Sequence, residues 1–386
     1  MSMSRALRVA LLTPSLHPGG AERQMLILAA ALPKTTFDLQ FLTLSEPGDL
    51  AAEAEAMGIP VHVLGLSRDS CRGLSLGCLT ETVAAVRAYI RLTRDIDVVD
   101  AWLVPAYTFA GTVQPLARVP VLLAGRRSAL DVHRTRTWTR EAAGRFAMHA
   151  VKAVVANSQA AADQAISIER IDPARVHVIR NAVVPVQATD TDRVDLRKAW
   201  GFAHEDVVIG CVGNFKEGKG QELLLEVATD LRGAHSNLRY CFVGEGPLRN
   251  RLESEIHERG LDGTIALHSG ERDARHLYNA FDITVQASDS EGMPNVVLEA
   301  AAAGQAIVAT AVGGTAEVLT SEHDGLLVAK GDRSGIGRAI VRLATDPDLR
   351  RRLGRAAEER SREFSPERLA EETASLYLSL ADKLRS

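Results

Sequence analysis

The feature that most constrains the fold is a rhythm. Short apolar runs rich in β-branched residues alternate along the chain with longer amphipathic stretches rich in alanine and leucine, the pattern of a parallel sheet covered by helices on both faces. The rhythm runs through the chain twice. The first series predicts strands over 9–13, 39–44, 61–64, 98–101, 121–124, 153–156 and 176–179, with helices over 21–32 and 80–92. The second predicts strands over 207–212, 238–243, 265–268, 283–286, 306–310 and 326–328, with helices over 221–231 and 295–303. A chain of 386 residues is longer than one hydrophobic core usually grows. The expected architecture is therefore α/β, with two Rossmann-like doubly wound parallel-sheet domains facing each other across a cleft. Ligands in such folds sit at the C-terminal ends of the strands, which makes that cleft the expected site.

The stretch 182–192 (AVVPVQATDTD) is polar, proline-containing and without period, so it reads as a linker between domains of 1–185 and 186–365. After the Phe364-Ser365-Pro366 break an amphipathic helix is expected, with Ser365 as N-cap and Pro366 at the first helical position. Segment 366–386 is expected to pack back toward the first domain.

Several classes are excluded or demoted by composition. A net charge of -4 gives no general attraction to nucleic acid. Cys71, Cys78, Cys211 and Cys241 form no CxxC pair and have no histidine at metal-ligand spacing, so they read as core or surface thiols. The apolar run 7–12 is too short for a signal-peptide core, and no stretch is long enough to span a bilayer. A cytoplasmic setting is expected. Asp95-Ile96-Asp97 and Asp190-Thr191-Asp192 match a DxD metal pattern, yet one lies at a strand start and the other in the linker. With 49 acidic residues in the chain, both read as chance, and no metal is expected.

The densest chemical signal is Ser288-Asp289-Ser290-Glu291-Gly292-Met293-Pro294-Asn295-Val296-Val297-Leu298-Glu299, between a predicted strand and an alanine-rich helix. Pro294 suits the first helical position. The amides of Asn295 and Val296 then lie at a helix N-terminus, an anion site that a pyrophosphate would fit. Glu291 precedes this helix and Glu299 lies more than a turn inside it, so the two carboxylates reach different hydroxyls of one ligand. The plainer alternative is a loop charge and a helix-surface charge.

Gly213-Asn214-Phe215-Lys216-Glu217-Gly218-Lys219-Gly220 follows the first strand of the second series. Its glycines allow close approach of the backbone, and Lys216 and Lys219 can neutralise a departing diphosphate. It lacks the GxxxxGK[ST] spacing of a P-loop, and a surface turn is the alternative. Pro18-Gly19-Gly20-Ala21-Glu22-Arg23 opens a helix after the first strand and offers amides to a phosphate, without the GxGxxG spacing of a dinucleotide fold. Among His17, His133 and His268, the place beside the glycine pair favours His17 as a base. The segment 126–145 carries six arginines around Trp138, opposed only by Asp131 and Glu141. It reads either as a solvated helix face or as a patch for an anionic membrane surface or a lipid diphosphate acceptor.

Taken together, GGAER, VVANS (154–158), VIRNAV (178–183), GNFKEGKG, VGEGPL (243–248) and EGMPNVVLEAAAAGQAIVATAVGGTAEV (291–318) resemble the retaining family 4 glycosyltransferases of GT-B fold over nearly the whole chain. The resemblance implies a nucleoside diphosphate sugar as co-substrate, no further cofactor, and metal independence. It implies that Glu291 holds hydroxyls of the donor sugar near the reacting carbon, that Glu299 holds the ribose diol, and that Lys219 holds the diphosphate, approached by Gly19 and Gly20. It places Asn214, Lys216, Gly244, Gly246, Gly292, Met293, Pro294, Asn295 and Val296 around the donor. Retention is usually explained in this family by same-face attack, with the leaving phosphate deprotonating the acceptor. The chain departs from the pattern in three places. Asn214 stands where many relatives have arginine, Gly125-Arg126-Arg127 where many have a histidine, and Asn181-Ala182 where Asn-Gly is usual. Lys216 and Arg126 are the residues in position to substitute.

The expected function is sugar transfer to a hydroxyl of a saccharide, a lipid-linked saccharide or a glycosylated metabolite, in polysaccharide or glycoconjugate biosynthesis. Peripheral contact with the inner face of a membrane would run through 126–145. The rivals are another GT-B enzyme such as an epimerase or phosphorylase, and a catalytically idle sugar-nucleotide-binding partner protein.

Overall fold

The computed structural model describes residues 5–66, 76–127, 138–185, 190–269 and 275–383. Among them, thirteen strands form two all-parallel sheets. The first contains β1 (Leu7–Thr13), β2 (Phe37–Thr43), β3 (Val61–Val63), β4 (Val98–Trp102), β5 (Val121–Arg126), β6 (Ala153–Ala156) and β7 (Val176–Val178), in the order β3-β2-β1-β4-β5-β6-β7. The second contains β8 (Val207–Val212), β9 (Leu238–Val243), β10 (Ile265–His268), β11 (Ile283–Gln286), β12 (Ala306–Thr310) and β13 (Leu326–Val328), in the order β10-β9-β8-β11-β12-β13. Each expected strand is present. In each sheet the chain first winds outward on one side and then restarts on the other, so the order reverses between β1 and β4 and again between β8 and β11. Ligands of doubly wound sheets gather at such switch points.

Both faces of each sheet are covered, and the strands are accordingly mostly apolar: β4 and β12 are buried at every residue, with Asp100 the charged exception in β4. The chain divides into two compact units, Met1–Ala182 with Pro366–Ser386, and Val183–Ser365. The expectation of a linker through Asp192 is corrected at its end, because Asp190–Ala199 is helical. Acidic residues at a helix start favour its dipole, and the residue that follows this helix, Trp200, stacks on Phe281 with ring centroids 5.8 Å apart.

In the second unit this helix is tied to the head of β11. Asp282 accepts hydrogen bonds from Arg193 Nη2 and Arg197 Nη2, each at 2.6 Å, and from the amide of Val208 at 2.8 Å. The same two arginines donate to the carbonyls of Asn279 (2.7 Å) and Ala280 (2.8 Å) and so pin the 3-10 turn Arg275–Ala280. Burial opposes ionisation of Asp282, but Arg197, the Val208 amide and Arg193 outweigh it and hold the carboxyl below its usual range.

In the first unit the helix Pro366–Asp382 opens at Pro366 and buries Leu369 and Tyr377 in the core formed by the helix Gly20–Ala31 and β2. The Tyr377 hydroxyl donates to Asp100 Oδ2 at 2.7 Å, in the middle of β4. Burial pushes the Asp100 carboxyl up, against the pull of the Tyr377 hydrogen bond and of Arg127. Gln24 pairs through its amide with both backbone groups of Ala182, at 2.6 and 2.8 Å, so alanine at the family's Asn-Gly position leaves no backbone group of that residue unsatisfied.

Candidate functional site

In the second unit, three segments converge beyond the C-terminal ends of β8, β9 and β11. The loop 213–220 is fastened on one side to β9 and the turn that follows it, by Gly213 N to Val243 O (2.9 Å), Phe215 N to Glu245 O (2.8 Å) and Leu248 N to Phe215 O (3.0 Å). On the other side Asp289 N donates to Gly218 O at 2.9 Å. Phe215 is fully buried and anchors the loop. Its neighbours Asn214 and Lys216, one on each side of this anchor, are consequently exposed.

The decisive contact joins two of the expected residues. Lys219 Nζ donates to Glu291 Oε1 at 2.6 Å, with side chains 26% and 15% exposed. The pair is only partly wet, so its attraction is less screened than that of a surface ion pair. Glu299, on the helix Asn295–Ala302, accepts from the Tyr278 hydroxyl at 2.9 Å. Pro294 is the N-cap of that helix rather than its first helical residue, as its φ of -76° and ψ of 112° show. Its carbonyl takes the amides of Val297 (3.2 Å) and Leu298 (3.3 Å), and the helix start lies between the two glutamates. Met293 turns into the core formed with Val297 and Leu298, so only its backbone faces the loop.

Gly244 and Gly246 serve the site by shaping it. Both have φ near +150°, and a Cβ at either would lie 2.1 Å from Gly213 O or 2.4 Å from Phe215 O. They let the turn after β9 nest on the loop 213–220. Gly313 was missed as a site residue although it lies inside the matching stretch. With φ +51° it packs so close to the 291–292 loop that a Cβ would fall 1.7 Å from Glu291 O, while Gly314 N donates to Gly292 O at 2.7 Å. Gly313→Ala is expected to displace Glu291, and if Glu291 holds the reacting sugar as the resemblance implies, a displacement of about 1 Å there costs on the order of 10²-fold in turnover. Steady-state kinetics of a variant with an unchanged circular dichroism spectrum tests this, and wild-type rates would show the contact to be dispensable.

The expected residues of the first unit lie at the C-terminal ends of its strands. His17 sits between Glu46 (3.0 Å) and Asp49 (3.5 Å). The helix Gly20–Ala31 begins at Gly20 behind Gly19, but its start is filled by a residue that the sequence reading passed over. The carboxylate of Glu22 folds back so far that a Cβ on Gly19 would lie 2.3 Å from it. Burial pushes the Glu22 carboxyl up, against its own amide and His17. A carboxylate thus lies beside Gly19 at the helix start that was expected to take a phosphate.

Arg126 is 5% exposed, forms an ion pair with Glu169 and lies over the Tyr107 ring at 4.4 Å. Arg127 lies over the Trp102 ring at 3.5 Å, and burial pushes its pKa down to about 10. The first two arginines of 126–145 thus point into the protein, where an aromatic face and a carboxylate compensate for lost water, so they add nothing to a solvated face or a membrane patch. Arg145 and Phe146 are exposed on the helix Trp138–Ala150, Arg134 and Arg136 lie outside the described residues, and so does the side chain of Arg140.

Asp95 and Asp97 pair with Arg8 and Arg5 at the N-terminal end of the sheet, away from the ligand end, and the side chains of Asp190 and Asp192 are not described. Among the described residues no three His, Cys, Asp or Glu side chains gather as a metal-ligand set. Cys211 and Cys241 are buried thiols. Among the described residues no helix is long and apolar enough to cross a membrane.

Two family models tile the chain. Glycosyltransferase Family 4 matches residues 18–186, and Glycosyl transferases group 1 matches residues 192–360, which contain all of the converging loops. The chain belongs to the family 4 glycosyltransferases. It is 30% identical over 244 residues to D-inositol 3-phosphate glycosyltransferase of Actinosynnema mirum, covering 60% of this chain and 58% of the relative. It is 32% identical over 209 residues to the lipopolysaccharide core biosynthesis glycosyltransferase LpsD of Rhizobium meliloti, covering 54% of this chain and 57% of the relative. The chain thus spans somewhat more than half the length of these curated relatives. Among solved structures, Anabaena Alr3699/HepE in complex with UDP and glucose superposes with a TM-score of 0.84 at 21% identity, over 96% of this chain and 99% of that one. WaaG, a glycosyltransferase involved in lipopolysaccharide biosynthesis, superposes with a TM-score of 0.74 at 17% identity, over 95% and 99%. The family 4 chain has the GT-B fold.

Proposed function

We propose that this protein transfers a sugar, with retention of configuration, from a nucleoside diphosphate sugar to a hydroxyl of a saccharide, a lipid-linked saccharide or a glycosylated metabolite. The observation that carries this reading is the 2.6 Å contact between Lys219 and Glu291. A cation and a hydroxyl acceptor this close fit a ligand in which an anionic group and a hydroxyl-bearing carbon are neighbours. A sugar 1-diphosphate has that chemistry. The helix start at 294–296 adds amides and a positive dipole end for the diphosphate, and Glu299 would take the ribose diol.

In this reading the bond from the anomeric carbon to the diphosphate oxygen breaks, and the acceptor oxygen bonds to the same face of that carbon. The acceptor proton passes to the departing diphosphate. Lys219, with Lys216 at the exposed edge of the loop, neutralises the charge that develops on the leaving group, so neither a metal nor a covalent nucleophile is required. Relatives named for lipopolysaccharide core biosynthesis support a glycoconjugate acceptor. The exposed Arg145 and Phe146 are the described part of a surface for anionic lipid.

The test is thermal stability against a panel of nucleotide sugars. The true donor should stabilise the fold by about 2.7 kcal/mol at a hundred times its Kd, and slow release of nucleoside diphosphate in the absence of acceptor should separate an enzyme from an idle binder. A panel without effect would overturn the reading.

A further inference from the structure

Tyr278 is fully buried in the 3-10 turn Arg275–Ala280, with its ring edge-on to Phe281 at 5.9 Å. Its hydroxyl lies 2.9 Å from Glu299 Oε2 and 3.4 Å from Val296 O, so it reaches both the glutamate and the first turn of the same helix. The turn that carries it is pinned through the carbonyls of Asn279 and Ala280 by Arg193 and Arg197, whose own positions are fixed by Asp282. A continuous chain of charge-assisted contacts therefore runs from the head of β11 to one oxygen of Glu299. Burial, then the charge of Glu299, pushes the phenol pKa far above its ordinary value, so the hydroxyl stays protonated and remains the donor.

A buried tyrosine needs one hydrogen-bond partner, and a backbone carbonyl would suffice. Here the shorter bond goes instead to a carboxylate, and a hydrogen bond to a charged acceptor is the stronger kind. A glutamate side chain in a helix has three torsions to fix before it can read a diol, and the phenol fixes them from the side of the protein.

We infer that Tyr278 is a positioning residue for nucleoside recognition: by holding Glu299 Oε2 it orients the carboxylate toward the ribose 2′,3′-diol and so sets the preference for ribonucleotide over 2′-deoxyribonucleotide donors. The inference rests on the assignment of Glu299 to the ribose.

The experiment is calorimetry of the full chain with whichever of UDP, GDP and ADP binds, with its 2′-deoxy counterpart, and with inorganic pyrophosphate. Wild-type protein should prefer the ribonucleotide by about tenfold, the worth of one hydrogen bond to a charged group. In Tyr278→Phe that preference should fall toward one, through weaker ribonucleotide binding, while pyrophosphate affinity stays as in wild type. Donor KM should rise with kcat retained. Glu299→Asp, which withdraws the carboxylate by one methylene, should lose the same preference and tests the ribose reading, while Tyr278→Met, an apolar filler that also lacks a donor, carries the test of the phenol if the phenylalanine variant fails to fold. A preference kept in Tyr278→Phe but lost in Glu299→Asp would reduce Tyr278 to packing and leave the ribose reading of Glu299 standing. A preference kept in both would remove the ribose reading with it. Failure of all three nucleotides to bind wild-type protein would overturn the proposed function itself.

Discussion

Lys219→Ala should fold normally and lose about 10²–10³-fold in turnover, the usual effect of removing one preorganised charge stabiliser, about 2.7–4 kcal/mol of barrier. The loss should fall on kcat as well as on donor KM, because the charge that Lys219 compensates is greatest as the diphosphate departs. On the proposed reading Glu291→Ala should be comparably slow for another reason, the loss of hydroxyl contacts next to the reacting carbon. The two differ in binding. Glu291→Ala frees Lys219 from its 2.6 Å partner, so nucleoside diphosphate without a sugar should bind at least as tightly as to wild type, whereas Lys219→Ala should weaken it. Either variant turning over at close to the wild-type rate would end the site assignment. Stability should change little, since an ion pair at 26% and 15% exposure is worth on the order of 1 kcal/mol.

The largest effect on stability is expected at Asp282. Asp282→Asn leaves two guanidinium groups, one of them almost buried, without a counter-charge, and breaking such a network costs about 3–5 kcal/mol. Because the folded carboxyl is held below its usual value, the stabilisation is present above the unfolded pKa of about 3.9 and is lost as pH falls through the lower folded value. Wild type and variant should therefore differ most near neutral pH and converge in acid. Hydrogen exchange of the amides in β8 and β11, followed with pH, reads this out, and a difference that grows on acidification would contradict the account.

Much of this molecule is legible without coordinates, and the reasons are local. A strand buried on both faces is apolar over most of its length, so 207–212 or 306–310 can be bounded by inspection. That Glu291 and Glu299 flank a helix start can be read from the spacing around Pro294, and the helix does begin at Asn295 between them; that Lys219 reaches Glu291 across 72 positions cannot. What stayed hidden depends on distant partners. Gly313 looks like any glycine until its Cα is seen against Glu291 O. Tyr278 reads as core until its hydroxyl finds a carboxylate 21 residues away. Arg126 and Arg127 read as surface cations because nothing local announces Tyr107, Trp102 or Glu169. The place of Glu22 beside Gly19 is a matter of its rotamer, which no sequence pattern fixes.

The placement of the helix Pro366–Asp382 in the first unit bears on the order in which the chain acquires its structure. Residues 183–365 are contiguous, and all their strands are available as soon as that stretch has been synthesised. Residues 1–182 emerge first but are completed last, since their core lacks Leu369 and Tyr377 until the whole of the other unit has followed. Until then the Asp100 carboxyl, in the centre of a sheet, has no phenol to donate to it. The half of the molecule made first is thus the half that is completed last.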